Sequence, residues 1–196
     1  MKLLLATNNK NKIKEIVNVL SKYNFDFVLP SEINCLIDPE ETGSTFCENA
    51  LIKARAFYEA TNIASLADDS GLEVDALDKK PGVLSSRFFG DVTDLEKCMG
   101  ILKLLGNLPF EKRSARFRAC FILYENKIIC QAEGVCEGHI GFEPKGENGF
   151  GYDPIFIPLG YEKSMAELSL EEKEKISHRG RALRELSENL KQILRK

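Results

Sequence analysis

The sequence predicts a mixed α/β fold of the α+β kind, with a mixed β-sheet, flanking helices and two lobes around a central groove. Three observations carry this. Strand-like and helix-like segments alternate through the N-terminal half, two long runs rich in branched and aromatic residues follow, and the C-terminal stretch has helical periodicity. With 196 residues and 43% hydrophobic content, the chain has enough apolar material for one domain spanning residues 1–196.

Lys2 to Ala6 reads as a short strand, and Ile13, Ile16, Val17 and Leu20 then recur at helical spacing over Asn11 to Leu20. Phe25 to Leu29 is a second strand. Thr45 to Ala60 is a helix whose Thr45 and Glu48 form a capping box. Ile63 to Ala67 reads as a short buried strand that stops at the acidic corner Ala67-Asp68-Asp69-Ser70-Gly71, with a further strand at Leu72 to Leu77. Lys79 to Gly90 contains Pro81-Gly82 and reads as a loop, and Asp94 to Leu105 as an amphipathic helix closed by Gly106. Ala115 to Tyr124 and Lys127 to Val135, separated by Glu125-Asn126, predict a long antiparallel hairpin. Gly141 to Gly151 is irregular, and Pro154 to Pro158 is a brief strand. A second capping box, Ser169 and Glu172, opens the terminal helical region, where Leu183, Leu186, Leu190 and Ile193 line one face.

A net charge of -3 argues against a general nucleic-acid binder. No apolar run reaches bilayer-crossing length, and the opening Met-Lys-Leu-Leu-Leu-Ala-Thr is too short for a signal peptide's apolar region, so a cytoplasmic location without membrane association is expected. The six cysteines include no C-x-x-C pair, which leaves zinc ribbons and redox motifs without support; reduced core thiols are expected.

The corner at Asp68 and Asp69 is the chief chemical feature. Two carboxylates at a strand end suit a hard divalent metal such as Mg²⁺, which takes one or two protein carboxylates and keeps sites for water and phosphates; a plain surface turn is the competing reading. Thr7-Asn8-Asn9-Lys10-Asn11-Lys12 places backbone N–H groups, small polar side chains and two lysines at a helix start, a phosphate cradle without the glycines of a Walker loop. Glu40-Glu41 precedes the helix carrying Glu48, Asn49, Lys53 and Arg55, and Asn49 and Lys53 lie one turn apart on one face. Arg87, after Pro81-Gly82, is a candidate phosphate clamp. Phe150 stands between Gly149 and Gly151 ahead of Tyr152-Asp153-Pro154, so its ring is available to a planar ligand. His178 and Arg179 sit at a break where Ser177 caps a new helix, in reach of the role of purine-edge readers.

Six segments together carry a resemblance: A-T-N-N-K-N-K, E-E-T-G-S-T-F-C-E-N-A-L-I-K-A, A-D-D-S-G-L, P-G-V-L-S-S-R-F-F-G, G-F-G-Y-D-P-I-F and M-A-E-L-S-L-E-E-K-E-K-I-S-H-R-G-R-A-L. In this order they closely resemble the inosine triphosphate pyrophosphatase family, the dITP/XTP pyrophosphatases. The resemblance implies an elongated mixed α/β fold around a nucleotide-binding groove, usually a homodimer, that uses Mg²⁺. It also implies hydrolysis of the purine nucleoside triphosphates ITP, dITP and XTP to monophosphate and pyrophosphate. By motif position, Asp69 matches the general base and metal-linked carboxylate, with Asp68 as its helper, and Ser70 a substrate contact. Thr7 to Lys12 matches the triphosphate loop, Lys53 and Arg87 further phosphate contacts, and either Glu40 or Glu41 a second metal ligand. Phe150, Gly151, Tyr152, Asp153, Lys173, His178 and Arg179 resemble the base pocket. The chain departs from the family pattern at Ser85-Ser86-Arg87-Phe88-Phe89, where S-A-R-Y-A/S is usual, and at Asn8, where glycine is common. Two other readings stay open: a Maf-type pyrophosphatase acting on pyrimidine or modified nucleotides, and a catalytically silent nucleotide-binding module.

Overall fold

The computed structural model describes residues 1–194. Its strands form one six-stranded sheet in the order β2-β1-β3-β4-β5-β6. Strand β1 (Lys2–Leu5) pairs in parallel with β2 (Asp26–Val28) and with β3 (Ser65–Val74), whereas β5 (Lys127–Ile140) pairs antiparallel with β6 (Phe156–Pro158). Strand β4 (Ser114–Glu125) lies between β3 and β5. The expected mixed sheet and mixed α/β class are therefore present. The helices are α1 (Lys10–Leu20), α2 (Phe46–Thr61), α3 (Asp94–Leu105), α4 (Leu170–Ile176) and α5 (His178–Leu194). Among the described residues, no helix is long and apolar enough to cross a membrane.

The chain forms two compact units. One comprises Met1–Asp69, Ala119–Gly134 and the segment from Arg179 onward; its core joins Leu3, Leu5, Ile16, Leu20, Leu66, Phe121, Leu183 and Leu186. The other comprises Ser70–Arg118 and Val135–His178, with a core of Leu72, Val74, Ile101, Leu105, Phe117, Ile140, Ile155 and Phe156. Each such Leu, Ile or Phe, fully buried, contributes roughly 2 kcal/mol.

Three expectations need correction. The acidic corner is not a turn: Ala67 to Gly71 lies inside the continuous strand β3, which also absorbs most of the separate strand expected from Leu72. Being buried along nearly its whole length, β3 shows no polar alternation, and the turn propensity of Asp-Asp-Ser-Gly yields to ion pairs with Lys12 and Lys53. The reduced-thiol expectation fails for one pair, because Cys47 at the start of α2 and Cys120 in β4 form a disulfide, with Cys35, Cys98, Cys130 and Cys136 free. Ile193 is exposed, unlike Leu183, Leu186 and Leu190.

Both capping boxes are present, Thr45 with Glu48 and Ser169 with Glu172. The hairpin is longer than its apolar runs suggest, and Asn126 takes the left-handed turn conformation at φ 60°. Extended Ser177 separates α4 from α5.

Candidate active site

In the first unit, three elements deliver charge to the acids of β3. Successive strand residues point to opposite faces, so Asp68 and Asp69 meet different partners. Asp68 is buried, and its Oδ2 lies 2.8 Å from Nζ of Lys12, in the first turn of α1. Burial alone would push its carboxyl up, but Lys12 and Lys53, with Arg179 adding to them, hold it below the ordinary carboxylate value. Asp69 accepts a 3.1 Å hydrogen bond from Asn49 Nδ2 and lies 3.7 Å from Nζ of Lys53, both on α2. Its carboxyl is raised above the ordinary value, by burial first and then by Glu41, with Lys53 opposing.

Lys53 is the hinge of this arrangement. Its ammonium sits 2.6 Å from Oε1 of Glu41. Burial would lower its pKa, but Asp68, Asp69 and Glu41 keep it raised, so it stays charged. Of the Glu40-Glu41 pair, Glu41 faces the Lys53–Asp69 group, whereas Glu40 is exposed. Glu48 is occupied elsewhere, accepting from the Ser44 and Thr45 backbone and from Ser44 Oγ. Asn49 is itself fixed by Gly43 N–H, which donates to its Oδ1 at 2.8 Å; a Cβ on Gly43 would fall 2.7 Å from that oxygen, so only glycine allows the approach.

The Thr7 to Lys12 segment forms the expected loop and helix start, with a difference. Asn9 is the N-cap, and its Oδ1 accepts from the N–H groups of Asn11 and Lys12, while Thr7 Oγ1 accepts from Asn9 N–H. The N–H groups of Asn9, Asn11 and Lys12 are thus engaged within the loop, while the side chains of Asn8, Lys10 and Asn11 are exposed and that of Lys12 is half-buried. Arg179 Nε donates to Oε2 of Glu15 at 2.5 Å. Glu15, the partner of Arg179, was not singled out from the sequence; its place on α1, one turn after Asn11, was the available signal.

In the second unit, the Gly149–Asp153 loop is tightly fastened. Asp153 Oδ2 accepts from Phe150 N–H at 2.9 Å and from Lys173 Nζ at 2.7 Å, a pair buried on both sides. A Cβ on Gly149, which has φ +85°, would lie 2.1 Å from that carboxylate oxygen. The Lys173 ammonium lies 5.2 Å from the half-buried Phe150 ring centroid, a cation–π contact. Tyr152 turns inward, donating its hydroxyl to the Ser85 carbonyl at 3.0 Å, and burial raises its phenol pKa. Thus Tyr152 and Asp153 shape the loop from beneath, and Phe150 is its half-exposed ring. His178 is buried and stacked on Phe117 at 4.8 Å. Ser70 is half-buried in β3, and Arg87 is exposed.

The donor set around Asp69 fits a hard cation. Two carboxylates, those of Asp69 and Glu41, approach one ammonium, and burial raises the Asp69 pKa. Among the described residues, the only cluster of three potential cysteine, histidine or acidic ligands is Cys47, Cys120 and Glu133, and its two sulfurs are joined to each other.

Comparison with known proteins matches the Ham1 family over residues 3–189. A dITP/XTP pyrophosphatase of Aquifex aeolicus is 48% identical, covering 97% of each chain, and one of Desulforamulus reducens is 47% identical, covering 98% of this chain and 97% of the relative. The solved structure of a HAM1 protein from Coxiella burnetii superposes with a TM-score of 0.91 at 42% identity, covering 98% of this chain and 99% of the other. The Staphylococcus aureus Ham1 protein gives 0.88 at 36% identity over the whole of both chains. On this match, which runs through the acid pair of β3 and the Phe150 loop alike, the chain belongs to the Ham1 family.

Proposed function

We propose that this protein hydrolyses the non-canonical purine nucleoside triphosphates ITP, dITP and XTP to the monophosphate and pyrophosphate, removing them from the nucleotide pool. The observation that carries this reading is the pairing of Asp69 and Glu41 through Lys53, beside the separate Asp68–Lys12 pair, in a Ham1-family chain.

Asp69 and Glu41 would hold Mg²⁺, which when bound supplies positive charge to the triphosphate oxygens. Asp69, with its raised pKa, orients a water and takes its proton as the water oxygen bonds to the α-phosphorus and the bond to pyrophosphate breaks. Lys12, Lys53 and Arg87 neutralise the departing pyrophosphate, Ser70 contacts substrate, and Thr7 to Asn11 line the phosphate loop. Phosphoryl chemistry depends mainly on positioning and electrostatics, in keeping with several cations around few acids. For the base, Phe150 offers a stacking face held by Gly151, Tyr152, Asp153 and Lys173, and His178 and Arg179 read the purine edge. A donor-only guanidinium suits the 6-oxo group of hypoxanthine and xanthine and leaves adenine's 6-amino group unmatched. In this reading the enzyme works in the cytoplasm as a homodimer, without nucleic-acid or membrane partners.

Pyrophosphate release from a panel of nucleoside triphosphates, with Mg²⁺ and with chelator, tests the proposal. ITP, dITP and XTP should be cleaved in preference to ATP and only with metal. Equal cleavage of ATP, or cleavage that survives chelation, would reject it. Light scattering on the eluted protein tests the dimer.

A further inference from the structure

We infer that Asp94 is a positioning residue for purine recognition, acting through the Gly151 peptide on the ring of Phe150. This rests on the reading of Phe150 as the base-stacking group. Asp94 is the first residue of α3, and its Oδ2 accepts from Gly151 N–H at 2.7 Å. Its other oxygen is oriented by Lys97, whose Nζ lies 3.3 Å from Oδ1. One turn along the same helix, buried Cys98 places its Sγ 3.4 Å from the Gly151 carbonyl oxygen. Both polar groups of residue 151 are thus engaged by α3.

The Phe150 peptide is consequently held from two sides. Its own N–H donates to Asp153, and the next N–H donates to Asp94. Gly151 has φ +64°, and a Cβ there would meet nothing, so side-chain crowding contributes no restraint at this residue. The hydrogen bonds of α3 supply it instead. An aromatic side chain carries only two rotatable bonds, so fixing the flanking peptides largely fixes the ring plane a base would stack on. The anchor has no counterpart in the phosphate chemistry, so its loss should weaken binding of the base and leave the hydrolytic step alone.

The test uses steady-state kinetics on ITP together with competitive inhibition by inorganic tripolyphosphate, a probe without a base. Asp94→Ala should raise KM for ITP by about five- to tenfold, a fraction of the effect of full loss of a base–aromatic stack, with kcat within about twofold. Asp94→Asn keeps an acceptor oxygen and should restore KM. Thr93 and Glu96 still form the capping box in both variants, so α3 keeps its start. A tripolyphosphate inhibition constant that worsens in step with KM would make Asp94 a general structural residue and overturn the inference. If Phe150→Ala raises KM but Asp94→Ala does not, the inference fails and the base-loop reading stands; if Phe150→Ala leaves KM unchanged, the base-loop reading itself fails.

Discussion

Asp68 and Asp69, adjacent in β3, are driven in opposite directions: the Asp68 carboxyl is held below its ordinary pKa and the Asp69 carboxyl above it. Lys12 against Asp68 forms a closed pair, whereas Asp69 shares one lysine with Glu41. Burial lifts the Asp69 carboxyl toward the range in which it can take a proton.

Asp69→Asn is therefore expected to lower kcat for ITP by about a thousandfold, in the range that general-base removal costs. Nucleotide affinity should change little, since the amide still fits beside Asn49 and Lys53. Pyrophosphate release and equilibrium titration with ITP, run on the same preparation, check both halves. Near-normal turnover would remove Asp69 from its proposed role.

The two glutamates before α2 should behave differently. Glu41 shares Lys53 with Asp69, whereas Glu40 is exposed. Glu41→Gln should shift the Mg²⁺ activation curve to about tenfold higher concentration or more, as expected for loss of a carboxylate ligand, and Glu40→Gln by less than about twofold. Activity measured against Mg²⁺ for both variants decides the assignment, and a larger effect at Glu40 would reverse it.

Parts of the fold were legible in the sequence. Capping boxes at Thr45 and Ser169 fixed two helix starts, because the reciprocal bonds they make are local and depend on spacing alone. The continuation of β3 through Asp68 and Asp69 was hidden, since what keeps two acids inside a strand is Lys12 and Lys53, distant in sequence. The Cys47–Cys120 bond, spanning 73 residues, was hidden for the same reason: no spacing rule brings the start of α2 to β4. Glu15 and Asp94 escaped notice because each reads as an ordinary helix-surface acid until its partner, Arg179 or Gly151 N–H, is known.

In the second unit, Asp75 is bonded by Lys79, Ser114 Oγ and Arg116. Burial, the largest single influence, pushes its pKa up, but these donors together bring it from 3.8 down to about 2. A depressed carboxyl stabilises the fold above its unfolded pKa, and that stability is lost as pH falls through the folded value. Because Asp75 is partly exposed, solvent screening leaves about 1 kcal/mol. Asp75→Asn should lower stability near neutrality by about that amount and flatten the loss between roughly pH 4 and 2, as followed by urea denaturation at each pH. An unchanged acid limb would show that the cluster contributes nothing.

Closing a loop of 73 residues with the Cys47–Cys120 bond restricts the unfolded chain. The chain-entropy relation puts the effect at about 4 kcal/mol, an upper value for a bond between positions already held by α2 and β4. Thermal unfolding with and without a thiol reductant should show a lower midpoint when reduced, and Cys120→Ser should match the reduced protein and ignore reductant. Equal midpoints in both conditions would exclude a stabilising bond.

Selectivity gives the last expectation, and it turns on Arg179. Its Nε donates to Glu15, which orients the plane of the guanidinium and its N–H groups. All of those groups are donors, so an oxo group at purine position 6 is matched and an amino group is not. A site built to pair one polar group rejects its mismatch by up to about ten-thousandfold, because the mismatched partner is buried without a bond. Arg179→Ala should therefore lower kcat/KM for ITP far more than for ATP and move their ratio toward one. Glu15→Gln keeps an acceptor but loses the charge that anchors the fork, and should move the ratio the same way by a smaller factor. The measurement is kcat/KM on both nucleotides for the three proteins. An ITP-to-ATP ratio unchanged in Arg179→Ala would place 6-position reading elsewhere and leave the Glu15–Arg179 pair as a structural brace of α1 against the start of α5.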